Sequence, residues 1–333
     1  MSAIELDKFF DRLPRIRPLV LGDVMVDRYS YVRHERMSPE APVPVWDLVH
    51  RESRLGGAGH VALNLKTLGC QVRLVGLAGR DADAVVLRSL MNEQGLDDRF
   101  VTTSTTRRTT LKHRVIENQS HLARLDEEDA QDVDPDEEEL LKRALLEACV
   151  GIDVLILQDY NKGVLSKSII RFALDLARER SIPVAVDPKK QNFFSFKNVA
   201  LFKPNHRELC EAMNRVVPKT DLVVLQGLMR ECLERINAES MLLTLSEEGI
   251  LFDQGTLKGH IPAQTVEIAD VSGAGDTVIA VAASAIAAQL PIETVAALSN
   301  LAGGLACTQP GVCPVTLQSL RSAAKTIATP VIT

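Results

Sequence analysis

VLILQDYNKGVLSKSIIRFALDLARERSIPVAV, residues 154–186, holds two short apolar runs, 154–157 and 183–186, on either side of a segment with helical periodicity, 166–180. Runs that short and apolar throughout are strands buried on both faces, and strand–helix–strand is the repeating unit of a parallel sheet. The alternation continues outward. PLVLG at 18–22 reads as a buried strand ending in a glycine turn, followed by a helix at 57–68, a strand at 72–78 and a helix at 81–94. Downstream, 200–202 and 241–245 read as strands, the second after a further helix. The pattern predicts an α/β fold: a doubly wound, mostly parallel sheet with helices on both faces. TVIAVAASAIAAQL, from Thr277, is apolar on every side and predicts a helix buried all round, with further helices at 292–308 and 316–327. Two stretches, 28–54 and 99–125, break the rhythm with β-branched and polar runs. They are expected to be antiparallel strands that leave the main sheet as a small β lid over one edge. With no internal repeat or low-complexity linker, 1–333 is expected to form a single domain plus that lid.

Composition narrows the partners. Hydrophobic residues make up 46% of the 333 and aromatics only 4%, so the core is packed by Leu, Val, Ile and Ala. The net charge of −6 is local: ten of the 44 acidic residues lie in DEEDAQDVDPDEEE, 126–139, and the remainder holds fewer acids than the 38 basic residues. That run reads as a solvated lead into a helix, with Asp134 as cap and Pro135 in the first turn. No basic stripe interleaved with aromatics marks a nucleic-acid surface. The six cysteines (70, 149, 210, 232, 307, 313) are scattered without metal-ligand spacing and read as free thiols in a reducing compartment. The N-terminus carries charges throughout, unlike a signal peptide, and the longest apolar stretch, 278–290, is too short to span a bilayer. A soluble cytoplasmic protein with no membrane partner is expected.

The strongest chemical signal is DVSGAGD, residues 270–276. Gly273, Ala274 and Gly275 precede the buried helix, so their N–H groups and the helix dipole face an anion. Asp276 in the first turn would repel a merely bound phosphate. It suits a reaction in which a carboxylate takes a proton from a hydroxyl as a phosphoryl group arrives. The plainer alternative is a glycine-rich helix start with an acid that complements the dipole. No G-x-G-x-x-G follows the first strand, which sets a dinucleotide-dependent oxidoreductase aside.

DVSGAGD resembles the C-terminal signature of the ribokinase-like (PfkB) carbohydrate kinases. The resemblance implies an ATP-dependent sugar kinase with Asp276 as catalytic base, Gly273, Ala274 and Gly275 as anion hole, Mg²⁺ as cofactor and, in some members, a monovalent cation. GDVMVDRY, 22–29, follows the first strand where the family places a sugar-binding Asp, a role it implies for Asp27. The family's glycine pair corresponds to Gly56 and Gly57, with His60 and Asn64 following. The family usually has Asn where His60 stands, and that Asn contacts sugar hydroxyls in many members; a purely structural His60 is the alternative. NHRE, 205–208, matches the family's N-x-x-E, implying that Asn205 and Glu208 hold the water shell of Mg²⁺, with capping as the other reading of Asn205. Lys162 and Lys189 close two strands as candidates for neutralising phosphate. TLSEEG, 244–249, resembles the nucleotide-binding turn, bringing in Thr244 and Gly249, and Asn300 lies where the family packs the adenine.

Within the family, RMSPEAPVPV at 36–45, with GDVMVDRY before it, resembles the bacterial D-glycero-β-D-manno-heptose 7-phosphate kinases. This implies phosphorylation of the anomeric hydroxyl to heptose 1,7-bisphosphate, a step towards ADP-heptose for lipopolysaccharide. Because the sequence stops at Thr333, it resembles the stand-alone kinase form. A phosphosugar needs cations at its distal phosphate, and Arg114, with Lys112 and Arg124, is the candidate; solvated edge-strand charges are the alternative. A homodimer through the lid is expected, as relatives tend to pair there. The remaining alternatives are a kinase acting on another sugar, sugar phosphate or nucleoside, and a catalytically silent sugar sensor, against which the presence of Asp276 speaks.

Overall fold

The computed structural model describes residues 3–118, 120–264, 267–325 and 331–332. In chain order its strands are β1 (Pro18–Gly22), β2 (Val24–Met37), β3 (Pro44–Gly57), β4 (Arg73–Ala78), β5 (Val101–Thr103), β6 (Thr110–Glu117), β7 (Ser120–Glu127), β8 (Val154–Gln158), β9 (Val184–Asp187), β10 (Leu201–Phe202), β11 (Met241–Thr244), β12 (Ile250–Gln254), β13 (Leu257–Ile261) and β14 (Val331–Ile332). Ten of them form one sheet in the order β14-β13-β12-β11-β10-β9-β8-β1-β4-β5. Every neighbouring pair from β5 to β11 is parallel, and β11 to β14 extend the sheet antiparallel.

The two-sided burial read from the strands is realised residue by residue. Leu19 and Leu21 of β1 enter one core with Leu155 and Leu157 of β8 and Val184 and Val186 of β9. Val20, Ile156 and Ala185, one residue out of step, enter the other. Helices Pro135–Ala148, Lys167–Glu179 and Leu222–Ile236 cover the first face; Ala58–Thr67, Ala82–Glu93, Ala274–Ala287 and Ile292–Cys307 cover the second. Val278 to Ala285 are all at most 4% exposed, as the all-round apolar pattern predicts. Asp134 and Glu137 close a capping box on the helix after the acidic run, with Pro135 in its first turn. Thr316 caps helix Leu317–Ala324, and the last residues of the expected helix, 326–327, lie outside the described residues. No helix among the described residues is long and apolar enough to cross a membrane.

The second sheet has four strands, β3-β2-β6-β7. It departs from the expected lid in two ways. Its central pair, β2 with β6, is parallel rather than antiparallel, because both strands leave the main body in the same direction. And 101–103 stays in the main sheet as β5 beside β4, so the later stretch gives the second sheet β6 (110–117) and β7 (120–127), which runs two residues past the expected stretch.

Candidate active site

β1 is hydrogen-bonded in parallel to both β4 and β8, so the chain winds away from it in two directions. A crevice opens at the carboxyl ends of strands where that happens. Asp276 lies there, in the first turn of helix Ala274–Ala287 and 4% exposed. Its Oδ1 accepts from Gln158 Nε2 at 3.1 Å and from the Tyr160 hydroxyl at 2.7 Å, and its Oδ2 lies 3.1 Å from His60 Nδ1. Burial, then Asp276 and Asp187, hold the Tyr160 phenol well above its ordinary pKa, so it remains a donor. Gly273, at the helix N-cap, has a φ of +80°, and a Cβ there would stand 2.6 Å from His60 Cε1. The first-turn N–H groups of such a helix have no acceptor within it; that of Ala274 reaches back to the Val271 carbonyl at 3.4 Å, and the turn Gly273 to Gly275 lies next to the buried carboxylate.

His60 and Asn64, expected to face a sugar, are 1% and 0% exposed and bonded to each other as well as to the Asp276 neighbourhood. Gln158 and Tyr160 were not singled out in the sequence. The only signal for them is that Gln158 is the last residue of β8 and Tyr160 stands two residues beyond it, at the same edge as the first-strand glycine.

A second group surrounds Asp187 at the end of β9. Its Oδ2 pairs with Lys203 Nζ at 3.0 Å, and its buried Oδ1 has no hydrogen-bond partner among the described residues. Lys189 bridges towards Glu208. Burial opposes the charge on Lys189, yet Asp187 and Glu208 hold its pKa above the ordinary lysine value. Asn205 and Glu208 form a capping box on helix His206–Ala212: Asn205 Oδ1 accepts from Glu208 N at 2.9 Å, and Glu208 Oε2 from Asn205 N at 2.8 Å. Capping thus uses both residues of the pair and leaves Glu208 Oε1 to Lys189. The donor set fits Mg²⁺: hard oxygens, one of them an orphaned carboxylate oxygen of Asp187. Among the described residues no cluster of three or more His, Cys, Asp or Glu is placed to hold a metal directly, so the fit is to an ion that keeps most of its waters.

Asp23, just past β1, accepts from the N–H groups of Tyr160 (2.8 Å), Lys162 (3.1 Å) and Val164 (3.1 Å) and ties that loop to the crevice. Burial outweighs these bonds and raises its pKa. Asp159 beside it is pushed up to about 7, first by burial and then by Asp23. Lys162 Nζ itself pairs with Glu128 at 2.6 Å.

On the second sheet Asp27 is 5% exposed and paired with Arg114. Gly56, in register with Met25, leaves the space that the Asp27 carboxylate fills, and Gly57 precedes helix Ala58–Thr67. The guanidinium groups of Arg114 and Arg54 each lie 5.3 Å from the centre of the Tyr29 ring. Arg54, absent from the sequence reading, also reaches the Pro310 carbonyl at 3.1 Å and Glu52 at 2.8 Å. Lys112 and Arg124 are instead taken up by Asp126, with Glu128 also on Lys112. At the other end, Thr244 closes β11 and bridges to Asn205, Gly249 ends the turn Ser246–Glu248, and Asn300 Nδ2 donates to the Pro262 carbonyl at 2.8 Å.

Residues 17–318 match the model of the pfkB family carbohydrate kinases. Among curated proteins, the chain is 34% identical over 324 residues to the "Bifunctional protein HldE" of Syntrophotalea carbinolica, covering 97% of this chain and 66% of that one. It is 38% identical over 313 residues to the protein of the same name from Acidiphilium cryptum, covering 94% and 64%. The chain therefore spans just under two thirds of the length of these relatives. Among solved structures, the tetrameric inhibited form of phosphofructokinase-2 from Escherichia coli superposes with a TM-score of 0.74 at 19% identity, covering 93% of this chain and 99% of that one. Arabidopsis thaliana ribokinase complexed with ribose and ATP superposes at 0.73 and 16%, with the same coverage.

Proposed function

The chain belongs to the pfkB carbohydrate kinase family, and from that premise we propose that it is a sugar kinase that phosphorylates the anomeric hydroxyl of D-glycero-D-manno-heptose 7-phosphate with Mg·ATP. The product is heptose 1,7-bisphosphate, a precursor of ADP-heptose and lipopolysaccharide. The observation that carries the chemistry is the buried Asp276 carboxylate at a helix N-terminus, aimed by Gln158 and Tyr160. Asp276 accepts the proton of the acceptor hydroxyl, and the first turn, Gly273 to Gly275, holds the charge of the transferred phosphoryl group. Mg²⁺, when bound near Asp187, Asn205 and Glu208, supplies charge neutralisation for the phosphates. Lys189 and Lys203 add to it from the same side. Thr244, Gly249 and Asn300 form the nucleotide end.

The choice of sugar is supported by the run 36–45 and by the HldE name shared by the relatives. Asp27 orients the sugar hydroxyls, and Arg114, with Arg54 across the Tyr29 ring, meets the distal phosphate. The exposed apolar side chains Leu48, Val49, Leu122 and Leu125 on the second sheet, with Val43 just before β3, support a homodimer formed through that sheet as a lid.

ADP release measured with heptose 7-phosphate, fructose 6-phosphate, ribose and a nucleoside tests the substrate. Heptose 7-phosphate is expected to give the highest kcat/KM. Turnover of another acceptor with heptose 7-phosphate inert would overturn the sugar assignment. Asp276→Asn is expected to lower kcat by about a thousandfold or more, and a wild-type rate would overturn its role as base.

A further inference from the structure

Asn64 settles where a neighbouring imidazole carries its hydrogen. Its Oδ1 accepts from the Val315 backbone N–H at 3.2 Å, and that donor identifies this branch of the amide as the oxygen. Nδ2 therefore faces His60, 3.0 Å from its carbonyl and 3.1 Å from its Nε2. An amide nitrogen only donates, so Nε2 presents a lone pair and the ring hydrogen sits on Nδ1, directed at Asp276 Oδ2 at 3.1 Å.

We propose that His60 is a positioning residue for Asp276, held by Asn64 as the neutral Nδ1–H tautomer. The inference rests on the reading of Asp276 as the base and says which of its atoms reacts. A carboxylate has about four lone-pair positions. Gln158 and Tyr160 take those of Oδ1, and His60 takes one of the two on Oδ2. The remaining lone pair, on Oδ2, receives the proton of the acceptor hydroxyl. As that O–H bond breaks, the oxygen bonds to the γ-phosphorus, the bond from phosphorus to the bridging oxygen breaks, and ADP leaves with its electron pair. The imidazole has no face left for the sugar: it is 1% exposed, both nitrogens are engaged, and its Cε1 packs on the Gly273 backbone. His60 thereby fixes the base relative to the glycine turn.

The test compares His60→Asn, His60→Gln and Asp276→Asn in the full chain, with ADP release at varied acceptor, using a sugar phosphate the wild type turns over. Asn keeps an N–H at the position of Nδ1; Gln reaches the position of Nε2 and leaves Oδ2 without a donor. His60→Asn is expected within about threefold of wild-type kcat. His60→Gln is expected to lose about ten- to a hundredfold in kcat, with acceptor KM within about twofold. A wild-type kcat in His60→Gln, or a loss confined to acceptor KM, overturns the proposal. If Asp276→Asn is inactive in the same series, only the His60 assignment falls; if Asp276→Asn is fully active, the base reading itself falls. Should the Gln variant fail to fold, ¹⁵N spectra of the wild-type imidazole decide. A protonated Nδ1 with a bare Nε2 is expected for His60, and a ring protonated on Nε2 refutes it.

Discussion

Replacing Gly56 by alanine tests whether the fold reserves space for the Asp27 carboxylate. The added Cβ would stand 2.2 Å from Asp27 Oδ2, 3.1 Å from its Cγ and 2.8 Å from Met25 Cγ. At an ordinary separation of about 3.5 Å, the carboxylate has to retreat by more than about 1 Å. Asp27 is 5% exposed and Met25 2%, so neither yields into solvent. The retreat takes Asp27 off Arg114, whose side chain is only 13% exposed. Deleting one partner of a buried ion pair costs about 3–5 kcal/mol; displacing it here should cost about 1–3 kcal/mol. Each kcal/mol lowers Tm by about 2–4 °C in domains of about 150–250 residues and by less in a larger one such as this. If Asp27 orients the sugar, kcat/KM for the acceptor falls about ten- to a hundredfold, chiefly through KM, while KM for ATP stays within about twofold. Gly59→Ala is the control: its Cβ would meet Leu55 Cβ at an ordinary 3.5 Å, inside helix Ala58–Thr67. That change should be neutral or stabilising by up to about 1 kcal/mol. Differential scanning fluorimetry and acceptor-dependent kinetics on both variants decide the matter. A Gly56→Ala protein with wild-type Tm and acceptor KM, or one no worse than Gly59→Ala, refutes the reasoning.

Tyr160→Phe removes the 2.7 Å bond to Asp276 Oδ1 and should lower kcat by about tenfold at unchanged acceptor KM; an unaffected kcat would show that this hydroxyl does not hold the base. Asp159 keeps its proton to about pH 7 in the folded chain, whereas an unfolded Asp loses it near pH 4, so its contribution to stability declines as pH rises through that window. Urea denaturation should show Asp159→Asn gaining about 2–3 kcal/mol on wild type between pH 5 and pH 8, and a flat or reversed difference would contradict the raised pKa. Burial pushes the thiols of Cys70, Cys149 and Cys232 up to about 12, 11 and 12, so iodoacetamide at pH 8 should label Cys307 and Cys313 first. Mass mapping that finds Cys70, Cys149 or Cys232 modified before unfolding would count against their burial.

The parallel core was legible because strands such as 154–157 and 18–22 are buried on both faces and need apolar residues at every position. Asp276 was legible because glycines, an acid and a buried helix follow one another in the chain. What was not legible depended on which distant segments meet. Gln158 and Tyr160 matter only because β8 ends beside a helix more than 100 residues later. His60 was noticed as an oddity, but its partner is 216 positions away, and no local pattern says whether an imidazole faces a sugar or a carboxylate. The parallel pairing of β2 with β6 was missed for the same reason, since hairpin-like runs favour an antiparallel reading and only the route of the chain between them decides. The N-x-x-E at 205–208 shows the opposite limit: one spacing serves a capping box and a metal's water shell equally well, and the cap is what the backbone geometry realises.

Asp23, Asp159, Asp187 and Asp276 are all buried at one edge of the sheet, which should repel a polyphosphate. The first three are each compensated in place. Asp23 is wrapped by three backbone N–H groups with Arg107 nearby, Asp187 lies against Lys203 and within 4.0 Å of Lys189, and Asp159 holds its own proton to about neutrality. Asp276 differs. Among the described residues its hydrogen-bond partners are an amide, a phenol and an imidazole, and no lysine or arginine bonds to it. A cation bound directly to a carboxylate stabilises its charged form and makes it a poorer proton acceptor, whereas dipolar donors orient it at a smaller cost to its basicity. On the proposed reading, the distribution of cations at this edge separates the carboxylates that hold structure and the nearby lysines from Asp276, the proposed base. It also makes a specific substitution informative: Gln158→Lys, which would place an ammonium against Asp276 Oδ1, should preserve the orientation of the carboxylate yet depress kcat and move the acid limb of its pH profile to lower pH. A variant with wild-type kcat and an unmoved acid limb would show that the missing cation has no bearing on catalysis.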